Sequence, residues 1–287
     1  MMKRGLAVLA FGVLAACGQS TTAPETAAPA IQLYAMDCGR ANFSNVDMFA
    51  DDGSFAGQAR AVVDPCYLIR HPNGDLIWDT GFSEAIAGMP NGLNLAEMGA
   101  HVTMAQTLTA QLEALGLTPA DIEYVSFSHA HADHTGNGNL FAASTWIVDA
   151  DERAYMFRPE ARADAQSFGF YSQLENSQTR LIEGDGDYDV FGDGSVTIIQ
   201  TPGHTPGHTV LLVRLANAGP VLLTGDMWHM AESRQRRTVP RFNVDRDQTL
   251  ASMDKVERIA TETDALVIRQ HVQEDFDALP RFPEALN

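Results

Sequence analysis

Between Ser126 and Asn139 the chain reads SFSHAHADHTGNGN, which places His129, His131, Asp133 and His134 within six positions, directly after the short run YVSF. Four titratable groups in one turn would repel one another or waste desolvation energy in an ordinary core, so a bound metal ion is the expected reason for gathering them. Zinc and its neighbours take imidazole nitrogen and carboxylate oxygen, and catalytic sites leave one position open for water. From an extended turn, His129 and His131 can point the same way, while Asp133 and His134 face a second position close by. Later in the chain His204, Asp226 and His271 could complete the two shells.

Such residues are far apart in sequence and need elements that bring them together. Five segments share one form, a short apolar, β-branched run that breaks abruptly at an ionisable residue. LIWDTG ends in Asp79, YVSFSH in His129, VTIIQTPGH in His204, VLLTGD in Asp226 and ALVIRQH in His271. These runs read as buried strands, and a common rim for their ends would collect the five residues in one place. Helical spacing lies between them. Residues 104–116 set Leu108, Leu112 and Leu115 on one face and close at Gly116. Residues 247–260 repeat the pattern through Leu250, Met253 and Val256, with Asp247 as a plausible N-cap, and residues 149–158 form a third candidate. The mixture predicts α/β layers in one domain.

The chain has 287 residues, 45% of them hydrophobic, enough for a sizeable core. Its formal charge of -18 argues against nucleic acid as a partner. At the start, Lys3 and Arg4 precede an apolar run from Gly5 to Ala16 that is too short to span a bilayer and reads as a signal peptide over residues 1–16. Leu14-Ala15-Ala16-Cys17 resembles the bacterial lipobox. The expectation is export to the periplasm with Cys17 as a lipid anchor to the membrane. Residues 17–30 then form that anchor and a tether reaching about 40 Å, and residues 31–287 form the folded domain. Cys38 and Cys66 sit among apolar neighbours and are read as buried free thiols.

HAHADH, followed in order by TPGHTPGH, LTGD and a late histidine, resembles the metallo-β-lactamase superfamily from about Ile31 to the C-terminus. The resemblance implies a four-layer αββα sandwich with two divalent metal ions, zinc being the expected one, at one edge. It implies that His129, His131 and His204 bind one ion, that Asp133, His134 and His271 bind the other, and that Asp226 bridges. Asp79 would support the site from behind, and His208 would be structural. LYAMDCG, CYLIRHPNGDLIWDTG, TPGHTPGHTVLLV and VIRQHVQEDFDALPRFP together are similar to the N-acyl-homoserine lactonases. That implies opening of an acyl lactone by a metal-bridging hydroxide, with Asp133 relaying the proton to the leaving oxygen. Those lactonases commonly carry a tyrosine three residues after the bridging aspartate. Here the position is His229, a candidate to take over its contact with substrate.

Rival readings are a β-lactamase, an aryl-ester or organophosphate hydrolase, or a lipid-anchored metal-binding protein without turnover. The sequence leaves oligomeric state open, a dimer included. An acyl chain needs an apolar groove. Residues 82–104, rich in Gly, Met and Leu, read as a mobile loop over it, and residues 43–49 as another wall. Arg234, Arg236, Arg237 and Arg241 read as a solvated or ion-paired face.

Overall fold

A computed structural model describes Met1, residues 31–184 and residues 186–287 of the chain. The expected signal peptide, Cys17 and the tether lie outside the described residues.

Alternating apolar positions build two sheets. The larger contains β1 (Gln32–Phe43), β2 (Arg60–His71), β3 (Gly74–Trp78), β4 (Leu93–Leu95), β5 (Ala100–Thr103), β6 (Tyr124–Ser126), β7 (Thr145–Asp149) and β8 (Thr179–Ile182), in the order β4-β5-β1-β2-β3-β6-β7-β8. The smaller contains β9 (Tyr188–Asp189), β10 (Val196–Gln200), β11 (Thr209–Leu215), β12 (Gly219–Leu223) and β13 (Leu266–Ile268), in the order β13-β12-β11-β10-β9. Helices α1 (Leu108–Ala114), α2 (Ala132–Thr135), α3 (Ala150–Met156), α4 (Pro159–Ala163), α5 (Ala165–Tyr171), α6 (Ala231–Arg236), α7 (Arg246–Thr263) and α8 (Gln273–Asp277) connect or flank the strands.

Because side chains alternate across a strand, each sheet has two apolar faces to cover. Leu211 and Val213 of β11 face inward with Ile198, Val221 and Ile268, against Tyr67, Ile69, Leu76 and Trp78 of the larger sheet. Val210 and Leu212 point the other way, onto Met253, Val256 and Ala260 of α7. On the far side of the larger sheet, Leu68, Ile77, Val125 and Trp146 pack on Leu108 and Leu112 of α1 and Met156 of α3. The result is the expected order of helix, sheet, sheet, helix. All five predicted strand runs are strands, and their ionisable ends meet at one edge where the sheets face each other.

Four details differ from the sequence reading. The N-cap of α7 is Asp245, whose extended backbone lets its carboxylate accept from the Gln248 N–H. Asp247 lies inside the first turn. Residues 82–104, read as a loop, contain regular elements. They form two 3-10 turns and the β4-β5 pair, which extends the sheet from β1. The first helix begins at Leu108, later than the pattern suggested, because Thr107 caps it by accepting from the Ala110 N–H.

Cys38 and Cys66, read as free thiols, form a disulfide across β1 and β2. Apolar surroundings do not separate a buried thiol from a buried half-cystine, and only the strand register brings the two together. It sits at the register break between Asp37 and Arg40, where ladder hydrogen bonds are interrupted. A bridge between residues 28 positions apart restricts the unfolded chain, and its loss should destabilise the protein by about 2–4 kcal/mol. Urea unfolding of a Cys38→Ala/Cys66→Ala double variant against the oxidised parent measures this, and coincident curves would contradict it.

Candidate metal centre

The site is assembled from strand ends. His129 and His131 follow β6, and Asp133 and His134 fall on the single turn of α2. His204 lies in the loop after β10, Asp226 after β12 and His271 after β13. Two clusters result. His129, His131, His204 and Asp226 form one, and Asp133, His134 and His271 form the other, with ligand atoms in each within 4.8 Å of one another.

In the first cluster, His129 Nε2 lies 2.9 Å from His131 Nδ1, and His204 Nε2 lies 3.1 Å from each of them. Three ring nitrogens cannot all satisfy one another as donors and acceptors, but this spacing suits lone pairs converging on a cation. Asp226 is shared between the clusters. Its Oδ2 lies 3.5 Å from His129 Nε2 and 3.3 Å from His204 Nε2, while Oδ1 lies 3.2 Å from His134 Nε2 and 2.9 Å from His271 Nε2. Asp133 approaches the second cluster from the open side, with Oδ2 3.9 Å from His271 Nε2. His134 Nε2 is buried without a hydrogen-bond partner among the described residues. Donor types, convergence and this orphaned nitrogen all fit a pair of divalent ions.

The outward ring nitrogens are held in place. His134 Nδ1 lies 2.9 Å from Asp79 Oδ2, His204 Nδ1 lies 2.8 Å from Asn243 Oδ1, and His271 Nδ1 lies 2.9 Å from the Val63 carbonyl. Donation from each Nδ1–H leaves the Nε2 lone pair facing inward. Ser128 Oγ gives its proton to Asp79 Oδ2, at 3.0 Å, and accepts from His129 Nδ1, also at 3.0 Å. Asp79 therefore supports the site from behind, as expected, and is completely buried. Ser128, Asn243 and the Val63 carbonyl were not anticipated. A serine beside a histidine was the only local signal, and the other two reach the site from distant segments.

His208 is structural in a specific sense. Its Nε2 accepts the Asp226 backbone N–H at 3.2 Å, and its Nδ1 lies 2.9 Å from Thr201 Oγ1. His229 is buried beside the site, stacked on Phe49, with Nε2 2.9 Å from Asp226 Oδ2.

A cavity of about 400 Å³ opens onto His131, Asp133, Asp226, His229 and His271. Its remaining wall is almost entirely apolar and includes Phe43, Met48 and Phe49, with Phe82, Leu95, Met98 and Val102 from the β4-β5 region. Both segments expected to line a groove do so. The arginine-rich stretch is mostly ion-paired, as expected, through Arg234 with Glu257, Arg237 with Asp254 and Arg241 with Asp47.

The two clusters differ electrostatically. Burial and neighbouring imidazoles hold His129 well below the usual histidine range and His131 at about 3. Burial, the largest single influence, would also lower His134 and His271, but the surrounding carboxylates together outweigh it, Asp79, Asp226 and Asp133 at His134, and Asp226 and Asp133 at His271. His134 is raised well above its ordinary value and His271 to about 9. Metal-free native protein therefore keeps protons at these two residues that the unfolded chain, with histidine near 6.5, releases. Native protein binds more protons over that interval, so stability must fall as pH rises from 7 to 9. His208, held by burial at about 3, is neutral in both states there and does not oppose the trend. Urea midpoints of chelator-treated protein at pH 7, 8 and 9 should decline in order; a rise would contradict the assigned charges.

Comparison with known proteins agrees with this geometry. The family model described as the metallo-beta-lactamase superfamily matches residues 61–271. The N-acyl homoserine lactonase AttM of Azorhizobium caulinodans is 33% identical over 89% of this chain and 97% of its own. The N-acyl homoserine lactonase AiiA of Bacillus thuringiensis subsp. kurstaki is 28% identical over 76% of this chain and 85% of its own. A solved N-acyl homoserine lactone hydrolase, with the product N-hexanoyl-L-homoserine bound at its catalytic metal centre, superposes with a TM-score of 0.74. It is 25% identical and covers 90% of this chain and 99% of that one. With the matched region spanning every cluster residue, the chain belongs to the metallo-beta-lactamase superfamily.

Proposed function

We propose that the protein is a dinuclear metal hydrolase that opens the lactone ring of N-acyl homoserine lactones. The observation that carries this reading is the juxtaposition of a two-ion donor set with a cavity whose wall away from that set is almost entirely apolar. An N-acyl homoserine lactone has matching halves, a compact reactive ring and an apolar tail. The named lactonase relatives and the product-bound neighbour support the same substrate class.

In this reading His129, His131 and His204 would hold one ion, Asp133, His134 and His271 would hold the other, and Asp226, within reach of both clusters, would serve each. Zinc is the expected metal, given nitrogen and oxygen donors. Two such ions supply an activated water and Lewis-acid polarisation of the carbonyl. The apolar wall holds the acyl chain and excludes water from it. Asp133, half-exposed at the cavity, takes the proton of the attacking water and passes it to the ring oxygen as the acyl C–O bond breaks. His229 gives its Nε2–H to Asp226, so its neutral ring has only a lone pair left at Nδ1. It cannot supply the hydrogen bond that a tyrosine hydroxyl offers a carbonyl, and its role is to align Asp226.

The test is pH-stat hydrolysis of a homologous series of N-acyl homoserine lactones by protein of known metal content. Ring opening should require metal and fall at least 100-fold in kcat in Asp133→Ala. A fully metallated protein that releases no acid from any member would remove the lactonase reading.

We also propose that residues 1–16 are cleaved and that the mature chain is lipid-anchored at Cys17 in the periplasm. The Cys38–Cys66 disulfide supports an oxidising compartment. Labelled palmitate should enter the wild-type protein in the bacterial cell and not Cys17→Ser; equal labelling of the two would refute the anchor.

A further inference from the structure

Glu152 is 2% exposed and lies in α3, three residues after the N-cap Asp149. An acidic residue at that position ordinarily reaches back to the N-cap backbone N–H. Here Asp149 caps the helix alone, accepting from the N–H groups of Asp151 and Glu152. The Glu152 carboxylate points elsewhere. Its Oε1 accepts the Ala130 N–H at 2.7 Å, and its Oε2 accepts the Gly207 N–H at 2.9 Å.

Those two donors sit in the two loops that feed the first cluster. Ala130 lies between His129 and His131, and Gly207 lies three residues after His204. The second loop passes so close to α3 that a Cβ on Gly207 would come within 2.4 Å of both Asp149 Oδ1 and the Glu152 nitrogen. One buried carboxylate thus clamps two backbone turns whose histidines must converge to within about 3 Å. Among the described residues, nothing comparable reaches from Glu152 to the second cluster. There His134 is held by Asp79 and His271 by the Val63 carbonyl.

We infer that Glu152 is a positioning residue for one metal subsite only, setting the approach of His204 to His129 and His131 through the backbone of their loops. The inference rests on reading these three histidines as ligands of a single ion. Glutamine has nearly the same shape, but only one of its terminal atoms accepts. Its NH2 group would face one of the two N–H donors and release that loop. Aspartate keeps the charge but is one methylene too short to span both donors.

The experiment is cobalt(II) titration of metal-free wild type, Glu152→Gln and Glu152→Asp, followed by absorbance and by competition with a chelator of known affinity. Thermal melting of each metal-free protein is measured alongside. Wild type should take up two ions. Both variants should bind one equivalent as wild type does and the other about 10–100-fold more weakly, the range typical for loss of groups that orient metal ligands. Metal-free melting should change too little to account for a selective effect. Unchanged binding of both equivalents would overturn the inference. Equal weakening of both, in step with a lower melting temperature, would make Glu152 a general structural residue and overturn it as well. Normal binding by Glu152→Asp with weak binding by Glu152→Gln would assign the effect to charge alone and exclude the clamp. If Glu152→Gln does not fold, Glu152→Asp carries the same test. Wild type that binds fewer than two ions would instead remove the ligand reading, a separate failure from normal binding in the variants.

Discussion

Asp226 is a buried carboxylate surrounded by imidazoles, and the rest of the site is arranged around keeping it there. His129, His204 and His229 crowd one oxygen while His134 and His271 crowd the other. Burial alone would raise its pKa, but the imidazoles, His229 first, hold it well below the usual carboxylate range. Its backbone is equally constrained, since the N–H is taken by His208 Nε2. The preceding Gly225 has φ +47°, and any Cβ there would lie 2.7 Å from the Ser128 Cβ and 2.9 Å from His208 Nε2. The close approach of the LTGD turn to the HAHADH loop therefore needs glycine at this point.

That dependence explains why the site requires a sandwich rather than a single sheet. Asp79 and His129 end strands of the larger sheet, whereas His204, Asp226 and His271 end strands of the smaller one. Neither sheet has a full shell for either ion. The separations across the seam, 3.1 Å between His204 Nε2 and His129 Nε2 and 3.2 Å between Asp226 Oδ1 and His134 Nε2, are fixed by the apolar layer between the sheets, which includes Trp78 and Leu76 of one sheet and Leu223 and Ile268 of the other. Interiors are close-packed and do not slide without opening voids. The hydrogen bond from Thr209 N–H to the Ser128 carbonyl, 2.8 Å long, and that from Gln270 Nε2 to the Pro65 carbonyl, 2.7 Å long, fasten the seam at the site itself.

Ionisable residues at the ends of apolar runs were legible because both halves of the signal are local. A strand of β-branched residues reads by composition, and a histidine or aspartate at its end reads by contrast. The strand and helix patterns gave α/β layers in one domain, and the layer order followed from the motif resemblance alone. What escaped depends on distance. The disulfide joins residues 28 positions apart whose separate surroundings look like ordinary core. Asn243 serves His204 across 39 positions, and Glu152 serves Gly207 across 55. In each case the side chain is polar and unremarkable in its own segment, and only the fold gives it a partner. The α7 cap failed for a different reason. Asp245 and Asp247 both precede the helical pattern, and backbone torsion, which sequence does not display, decides between them.

The aperiodic stretch from Phe82 to Met104 shows how a weak pattern can still be informative. It lacks a clean strand or helix period because it reaches one cavity from several short elements. Val102 and Ala100 face the cavity within β5, while Leu95 and Met98 reach the same cavity from a short strand and a 3-10 turn. Short elements joined by turns give no sustained repeat, yet their pairing to β1 fixes them beside Ala41 and Phe43. The wall opposite the metal centre is therefore apolar and anchored to the same β1 strand that the disulfide ties to β2. Polarity is confined to the side where the charges of the ions would be balanced, and a bound molecule must present its reactive polar group there and its hydrocarbon to the wall.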